Sequence, residues 1–560
     1  MKKYLKKISA VLMAAIMMLA MCTVGVFADQ TYPKPTDTNT ITVNNVEEGA
    51  TVKAYHIVKA QYVDGIGFEK YAAIDGTNIQ DPVAPTAAEI QDIAARISNG
   101  TFTSDEFNTT ELTYNAETGS YTADVTAGYW LILVTGGDAS KVYNPMIAGV
   151  YYSVSGSDNT MASDPIDASK KWELLPGTAY DKSVDVSVDK TIIGGTGKTT
   201  TGSDSTKGDD VAIGDYINYS IEGTIPSYTT AYKKAVYKIT DKTSDGLKIQ
   251  ASSDDYPIIV KVGNQVVSAT EVKEEGTVTN YTVTVEDHQM IIDFNSDFVL
   301  AHTGQSVVVT YYAQLTDDAV TNFDANTNTV KITYTNGPTI NEDGTTPTTD
   351  TPEDKTYHYT FEIDGSLYGE GTIEGDKITT ELTKTGTKST ATKYTDTEYG
   401  PLSEAEFSLT MLDSEGNKTD KVYTSKSDSK GQLNFKGLDA GKYVLKETKA
   451  PAPYSLNAAE IPVEITASYN EDGTLANYNV IIGESGNSKT FTYTATYTKT
   501  GITKIESNQA DGSTYEFKNT PISELPSTGG IGTYIFTIAG IAIMAIAAGL
   551  IVVSRKRRNS

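Results

Sequence analysis

Residues 328–336 read Asn-Thr-Val-Lys-Ile-Thr-Tyr-Thr-Asn, or NTVKITYTN. Val330, Ile332 and Tyr334 alternate with polar neighbours, the period of two that gives a strand one face for a core and one for water. Residues 277–287, TVTNYTVTVED, repeat the pattern, and turn residues (Gly, Asn, Asp) bound both runs. Thr, Val, Tyr and Gly dominate the chain, while helical periodicity of Leu and Ala is scarce. One stretch breaks the rule: residues 86–100, TAAEIQDIAARISNG, carry the spacing of an amphipathic helix. The expected fold class is all-β, a rod of tandem β-sandwich modules.

The two ends differ from this body. Residues 1–28 open with Lys2, Lys3, Lys6 and Lys7, continue apolar from Ile8 and end Val26-Phe27-Ala28. This is the pattern of a signal peptide cleaved before Asp29, and Met21 argues against a lipoprotein reading at Cys22. Cys22, the only cysteine, leaves with that segment, so no disulfide is expected in an exported body whose compartment would permit one. Residues 522–560 combine Leu525-Pro526-Ser527-Thr528-Gly529, an apolar run of membrane-spanning length and a basic end, Arg555-Lys556-Arg557-Arg558. The chain carries 45 basic and 72 acidic residues, net −27; removing the eight basic residues of the two ends gives −27 − 8 = −35 for the exported part. Such a body repels nucleic acid and anionic lipid.

About 500 residues between the ends suggest three modules. The expected boundaries are 29–182, 183–340 and 356–521, with a Thr/Pro/Asp-rich linker at 341–355. Within the first module, residues 39–62 read as a hairpin and residues 120–135, SYTADVTAGYWLILVT, as strand. Residues 194–210, GGTGKTTTGSDSTKGDD, read as a flexible insert with almost nothing to bury. Its Gly197-Lys198-Thr199 is no phosphate loop, because Ile192 stands where that motif needs glycine. His56, His288, His302 and His358 are scattered without metal-ligand spacing, the acidic turns lack a full calcium-loop pattern, and no nucleophile–base set is visible. No metal, cofactor or enzyme activity on an outside substrate is expected.

The closing segment resembles the LPXTG sorting signal of Gram-positive wall proteins, with all three of its parts in order. That resemblance implies a sortase cysteine attacking the Thr528 carbonyl and releasing Gly529 onward. Residues 177–192, GTAYDKSVDVSVDKTI, resemble the pilin motif of backbone pilins. Lys182 then stands as the amine that receives Thr528 of another copy, with Asp181 where the motif has proline; Lys170 and Lys171 are fallbacks.

ELTKTG (381–386), LDAGKYVLKETKAPAPYSL (438–456) and YEFKNTP (515–521) resemble the Cna B-type domain, an immunoglobulin-like sandwich. The resemblance implies an internal isopeptide bond between Lys384 and Asn519, with Glu447 as proton shuttle. The second module is similar to an A-type pilin domain and, by the same order of residues, implies Lys190 and Asn336 as bond partners with Asp241 as relay. Burial of lysine and acid favours their neutral forms, as the amine's attack on a carboxamide requires. Residues 125–135 of the first module echo 438–448 without an acid at the matching place, so no bond is expected there.

Together these features imply a structural subunit of a sortase-assembled pilus on the cell surface. Its implied partners are a pilin sortase, a housekeeping sortase, peptidoglycan, other copies of itself, minor pilins and host matrix. A monomeric wall-anchored adhesin shares every feature except a working Lys182.

Overall fold

The computed structural model describes residues 33–63, 67–137, 141–154, 172–195, 207–269, 279–369, 377–387, 399–509, 513–521 and 531–558. Among the described residues strand far outweighs helix, in several β-sandwich sheets. The signal segment, Lys170, Lys171 and Leu525 to Gly529 lie outside the described residues. The helix Ile531–Arg558 follows the pentapeptide. Its side chains are described only in part, and among the described residues no helix is long and apolar enough to cross a membrane.

In the first module a four-stranded sheet faces a six-stranded one. The helix Ala87–Ser98 forms as its sequence predicts: Thr86 accepts from the Glu89 amide while Glu89 reaches back to the Thr86 amide. Ile90, Ile93 and Ala94 of this helix are buried in one core cluster with Leu131 and Leu133. The expected hairpin does not form. Thr38–Asn44 pairs with Ser120–Thr126 and Gly177–Tyr180, whereas Ala50–Val63 pairs with strands of the other sheet. The connection at Asn45 (φ 65°) and Gly49 (φ 90°) turns the chain from one sheet to the other, where a hairpin would keep both strands in one.

The second module stacks a six-stranded sheet on a seven-stranded sheet. Thr348–Asp350 and Asp354–Tyr359 both pair with Asn326–Thr335, so this module extends to Tyr359 and residues 341–355 are not a free linker. The run 194–210 is likewise not all insert. Residues 196–206 lie outside the described ones, but Gly208–Asp210 forms a parallel strand on Tyr357–Tyr359, and buried Asp209 faces His358 at 2.5 Å. Period-two reading missed this strand because it is three residues long and polar, held by specific partners.

The third module has a seven-stranded sheet against a three-stranded one, in which Leu382–Thr387 runs parallel to Tyr515–Asn519. At the joint between first and second modules, Val142 packs into the second core and Ala231 into the first. At the next joint the Ile213 amide donates to the Gly437 carbonyl and Lys421 pairs with Asp215 at 2.5 Å.

Candidate functional site

Lys384 and Asn519 sit on adjacent parallel strands, in register with Phe517 and Gly386 respectively. Both face inward, as does Glu447 on Gly441–Lys449, and all three are buried. Asn519 Nδ2 donates to both Glu447 oxygens, at 2.8 and 3.0 Å, and Lys384 Nζ lies 3.6 Å from Oε1. Glu447 Oε2 also accepts from the Asn457 amide at 2.8 Å, which fixes the carboxylate between amine and amide. Lys384 Nζ lies 5.2 Å from the Phe517 ring centroid. Burial pulls the Lys384 amine down to about 8, with Glu447 opposing. The three residues expected together in this module are therefore brought together, with the Glu447 carboxylate in contact with both the amine and the amide.

In the second module Lys190 is the inward residue of an edge strand, Val188–Gly195, with Ile192 in the same row. Its Nζ donates to Asp241 Oδ2 at 2.5 Å and to the hydroxyl of Tyr311. The ammonium lies between two rings, 4.7 Å from Tyr219 and 4.9 Å from Tyr311. Complete burial lowers the Lys190 pKa and raises that of Asp241, each opposed by the other's charge.

Asn336 is not in this cluster. It follows the strand Asn326–Thr335, and its Nδ2 donates to the Gly136 carbonyl of the first module at 2.9 Å, while the Tyr143 amide donates to its own carbonyl. The carboxamide at the centre is that of Asn328, buried near the start of the same strand, whose Nδ2 donates to Tyr311 at 2.9 Å. Asp241 pairs with Val330 and Thr243 with Asn328, so acid and amide are diagonal neighbours on adjacent strands. Counting inward positions admits Asn328 and Asn336 alike; only the register against the Asp241 strand separates them.

Lys182 lies between the strands Gly177–Tyr180 and Ser183–Asp185 and is exposed. Its carbonyl accepts from the Asn144 amide at 3.1 Å, and the Asp181 amide donates to Asn44 at 3.1 Å, a bond that proline could not make. The Asp181 carboxylate accepts from Ser183 at 2.5 Å and lies 3.8 Å from Lys141. The Lys182 side chain is exposed, and its ammonium makes no hydrogen bond or ion pair among the described residues.

A family model described as the T6 antigen Ig like domain matches residues 36–172. A prealbumin-like fold domain matches 387–479, and an LPXTG cell wall anchor motif matches 518–560. Over 573 aligned residues the chain is 27% identical to the trypsin-resistant surface T6 protein of Streptococcus pyogenes serotype M6, covering 93% of this chain and 95% of that one. Its structure is similar to that of the T6 backbone pilin of serotype M6 Streptococcus pyogenes, at TM-score 0.56 and 20% identity, over 88% of this chain and 100% of that one. The full-length major pilin SpaD of Corynebacterium diphtheriae aligns at TM-score 0.44 and 16% identity, over 87% and 99%.

Proposed function

We propose that this chain, a relative of the T6 surface protein made of pilin-type domains and closed by an LPXTG anchor, is the repeating shaft subunit of a covalent surface pilus. It is a structural protein of the cell surface, anchored to the wall. In this reading a sortase forms a thioester at Thr528, the Lys182 amine of the next subunit resolves it, and repetition builds a head-to-tail polymer. A second sortase transfers the last subunit to peptidoglycan. The observation that carries the reading is an exposed lysine, without a partner among the described residues, closing the first module of a chain that carries a sorting signal.

Two internal bonds harden the subunit: Lys384 to Asn519 through Glu447, and Lys190 to Asn328 through Asp241. Asn328 replaces Asn336 as the acceptor because it shares Tyr311 with the lysine. Each bond closes a loop of well over a hundred residues, worth on the order of 5 kcal/mol in the chain-entropy account. Each also joins two strands of its module covalently, so load can bypass the hydrogen-bonded sheets.

A wall digest resolved on a denaturing gel tests the polymer. A ladder of multimers that disappears in Lys182→Ala is the expected result. A ladder unchanged by that substitution moves the linkage to another lysine, and a single band in the wild type leaves a monomeric adhesin.

A further inference from the structure

Asp241 has one methylene fewer than Glu447, and the difference shows in what each carboxylate touches. Glu447 contacts both amine and amide, whereas the hydrogen bonds of Asp241 run to Lys190 and to Tyr311. Its other oxygen, Oδ1, is buried without a partner, and so is Oδ1 of Asn328. The residue that touches everything is Tyr311. Its hydroxyl accepts from Lys190 Nζ and from Asn328 Nδ2 and donates to Asp241. The phenol is completely buried and stacked 5.2 Å from Tyr219, so no water competes for its hydrogen bonds.

Resting on the reading of a Lys190–Asn328 bond, we propose that Tyr311 is a catalytic residue of its formation: the proton relay between Asp241 and the departing amide nitrogen. The Lys190 ammonium gives one proton to Asp241, leaving a neutral amine. Nζ attacks Cγ of Asn328 and forms the new C–N bond. Asp241 returns its proton to the phenol oxygen as the phenol passes its own to Nδ2; the Cγ–Nδ2 bond breaks and ammonia leaves. The second proton of the attacking nitrogen lands on Asp241. The phenol ends as it began, and atoms and charge balance. A glutamate that reaches the amide itself, as Glu447 does, needs no such intermediary.

The test uses the full chain, pulse-labelled during synthesis and digested for mass spectrometry, scoring the Lys190–Asn328 peptide pair by its loss of ammonia. The Lys384–Asn519 pair of the same molecules reports that the chain has folded. Tyr311→Phe keeps the ring and should slow the second-module bond at least about tenfold, the low side of a general acid–base contribution, with the third-module bond at its normal rate. Tyr311→Phe combined with Asp241→Glu, whose longer carboxyl can reach Asn328 directly, should recover most of the lost rate. A wild-type rate in Tyr311→Phe, or no recovery in the double variant, overturns the relay. Absence of the crosslinked pair from the wild type instead overturns the bond on which the relay rests.

Discussion

Glu447 lies against both the Lys384 amine and the Asn519 amide, whereas Asp241 meets the Lys190 amine and the Tyr311 phenol, and the phenol spans the remaining distance to the Asn328 amide. The surroundings differ in the same sense. Lys384 sits on one phenylalanine ring, Lys190 between two tyrosines. Register accounts for the difference. In the third module lysine and asparagine ride adjacent parallel strands, and one acid faces both from the opposite sheet. In the second module acid and asparagine share a sheet as diagonal neighbours, a separation of roughly 7–8 Å that a short side chain cannot cross. A core can thus supply the same reactive groups on a different strand pairing, provided another side chain restores contact.

The largest expected effect comes from removing the proposed covalent links one at a time. Lys384→Ala should cost the third module on the order of 5 kcal/mol, about 10–20 °C in its melting transition. Asn328→Ala should do the same to the second module. Because the two centres share no residue, each substitution should leave the other bond intact and the losses should add. Calorimetry with peptide mass analysis checks both points. A bond lost in the untouched module would show that the two centres are coupled.

How far these centres could be read from residue order follows the same division. Lys384, Glu447 and Asn519 stand in recognisable local words, and two adjacent strands and one facing strand bring them to one place. The inward lysine and acid of the second module were equally legible, since both keep the apolar parity of their strands. Its asparagine was not. Asn328 and Asn336 have the same parity, and the pairing that sets Thr243 opposite Asn328 is long-range information. The loop 194–210 misled for a related reason. Its four polar residues 207–210 bury little apolar surface, but Lys207 and Asp209 acquire partners 147 and 149 residues away.

A second contrast can be tested by pH. The third module holds a buried acid pair, Asp364 and Glu381, beside the strand that carries Lys384; Tyr493 donates to Glu381 at 2.6 Å. Burial, with the Glu381 charge, pushes the Asp364 carboxyl up to about 9. A carboxyl whose folded pKa is raised adds stability that is fully present below its unfolded value, about 3.9, and is lost as pH rises through the folded value. Melting of the third module should therefore fall between about pH 4 and 9. Asp364→Asn should flatten that slope, measured by scanning calorimetry across the range. An unchanged slope in the variant would place the titration elsewhere.

A smaller effect is expected where the second module holds its lysine in place. The Lys190 strand is an edge strand, and at Lys190 its outward backbone groups meet side chains where a neighbouring strand would be. The Lys190 amide donates to Asp354 Oδ2 at 2.5 Å, while Lys207 Nζ reaches the Lys190 carbonyl and Asp354, each at 2.6 Å. This clasp replaces a missing rung of ladder and fixes the strand that carries Lys190. Asp354→Ala should destabilise the uncrosslinked second module, in an Asn328→Ala background, by about 2 kcal/mol, the scale of a charge-assisted hydrogen bond. It should also slow bond formation in the otherwise wild-type chain without changing the third module. Lys207→Arg, which preserves the charge and donors, should restore more of the rate than Lys207→Ala.

The smallest effect separates the two asparagines directly. Asn336 joins modules: its side chain holds the Gly136 carbonyl, its backbone holds Tyr143, and neighbouring Gly337 packs where a Cβ would meet the Val134 carbonyl at 2.9 Å. Asn336→Ala should leave the second-module bond fully formed and cost about 1 kcal/mol, one hydrogen bond's worth, at the joint. The change should appear as faster amide exchange at Tyr143 with no change in the interior of either sandwich. Loss of the crosslink in Asn336→Ala, with retention in Asn328→Ala, would reverse the assignment and remove the phenol relay with it, because Asn336 has no contact with Tyr311 through which a proton could pass.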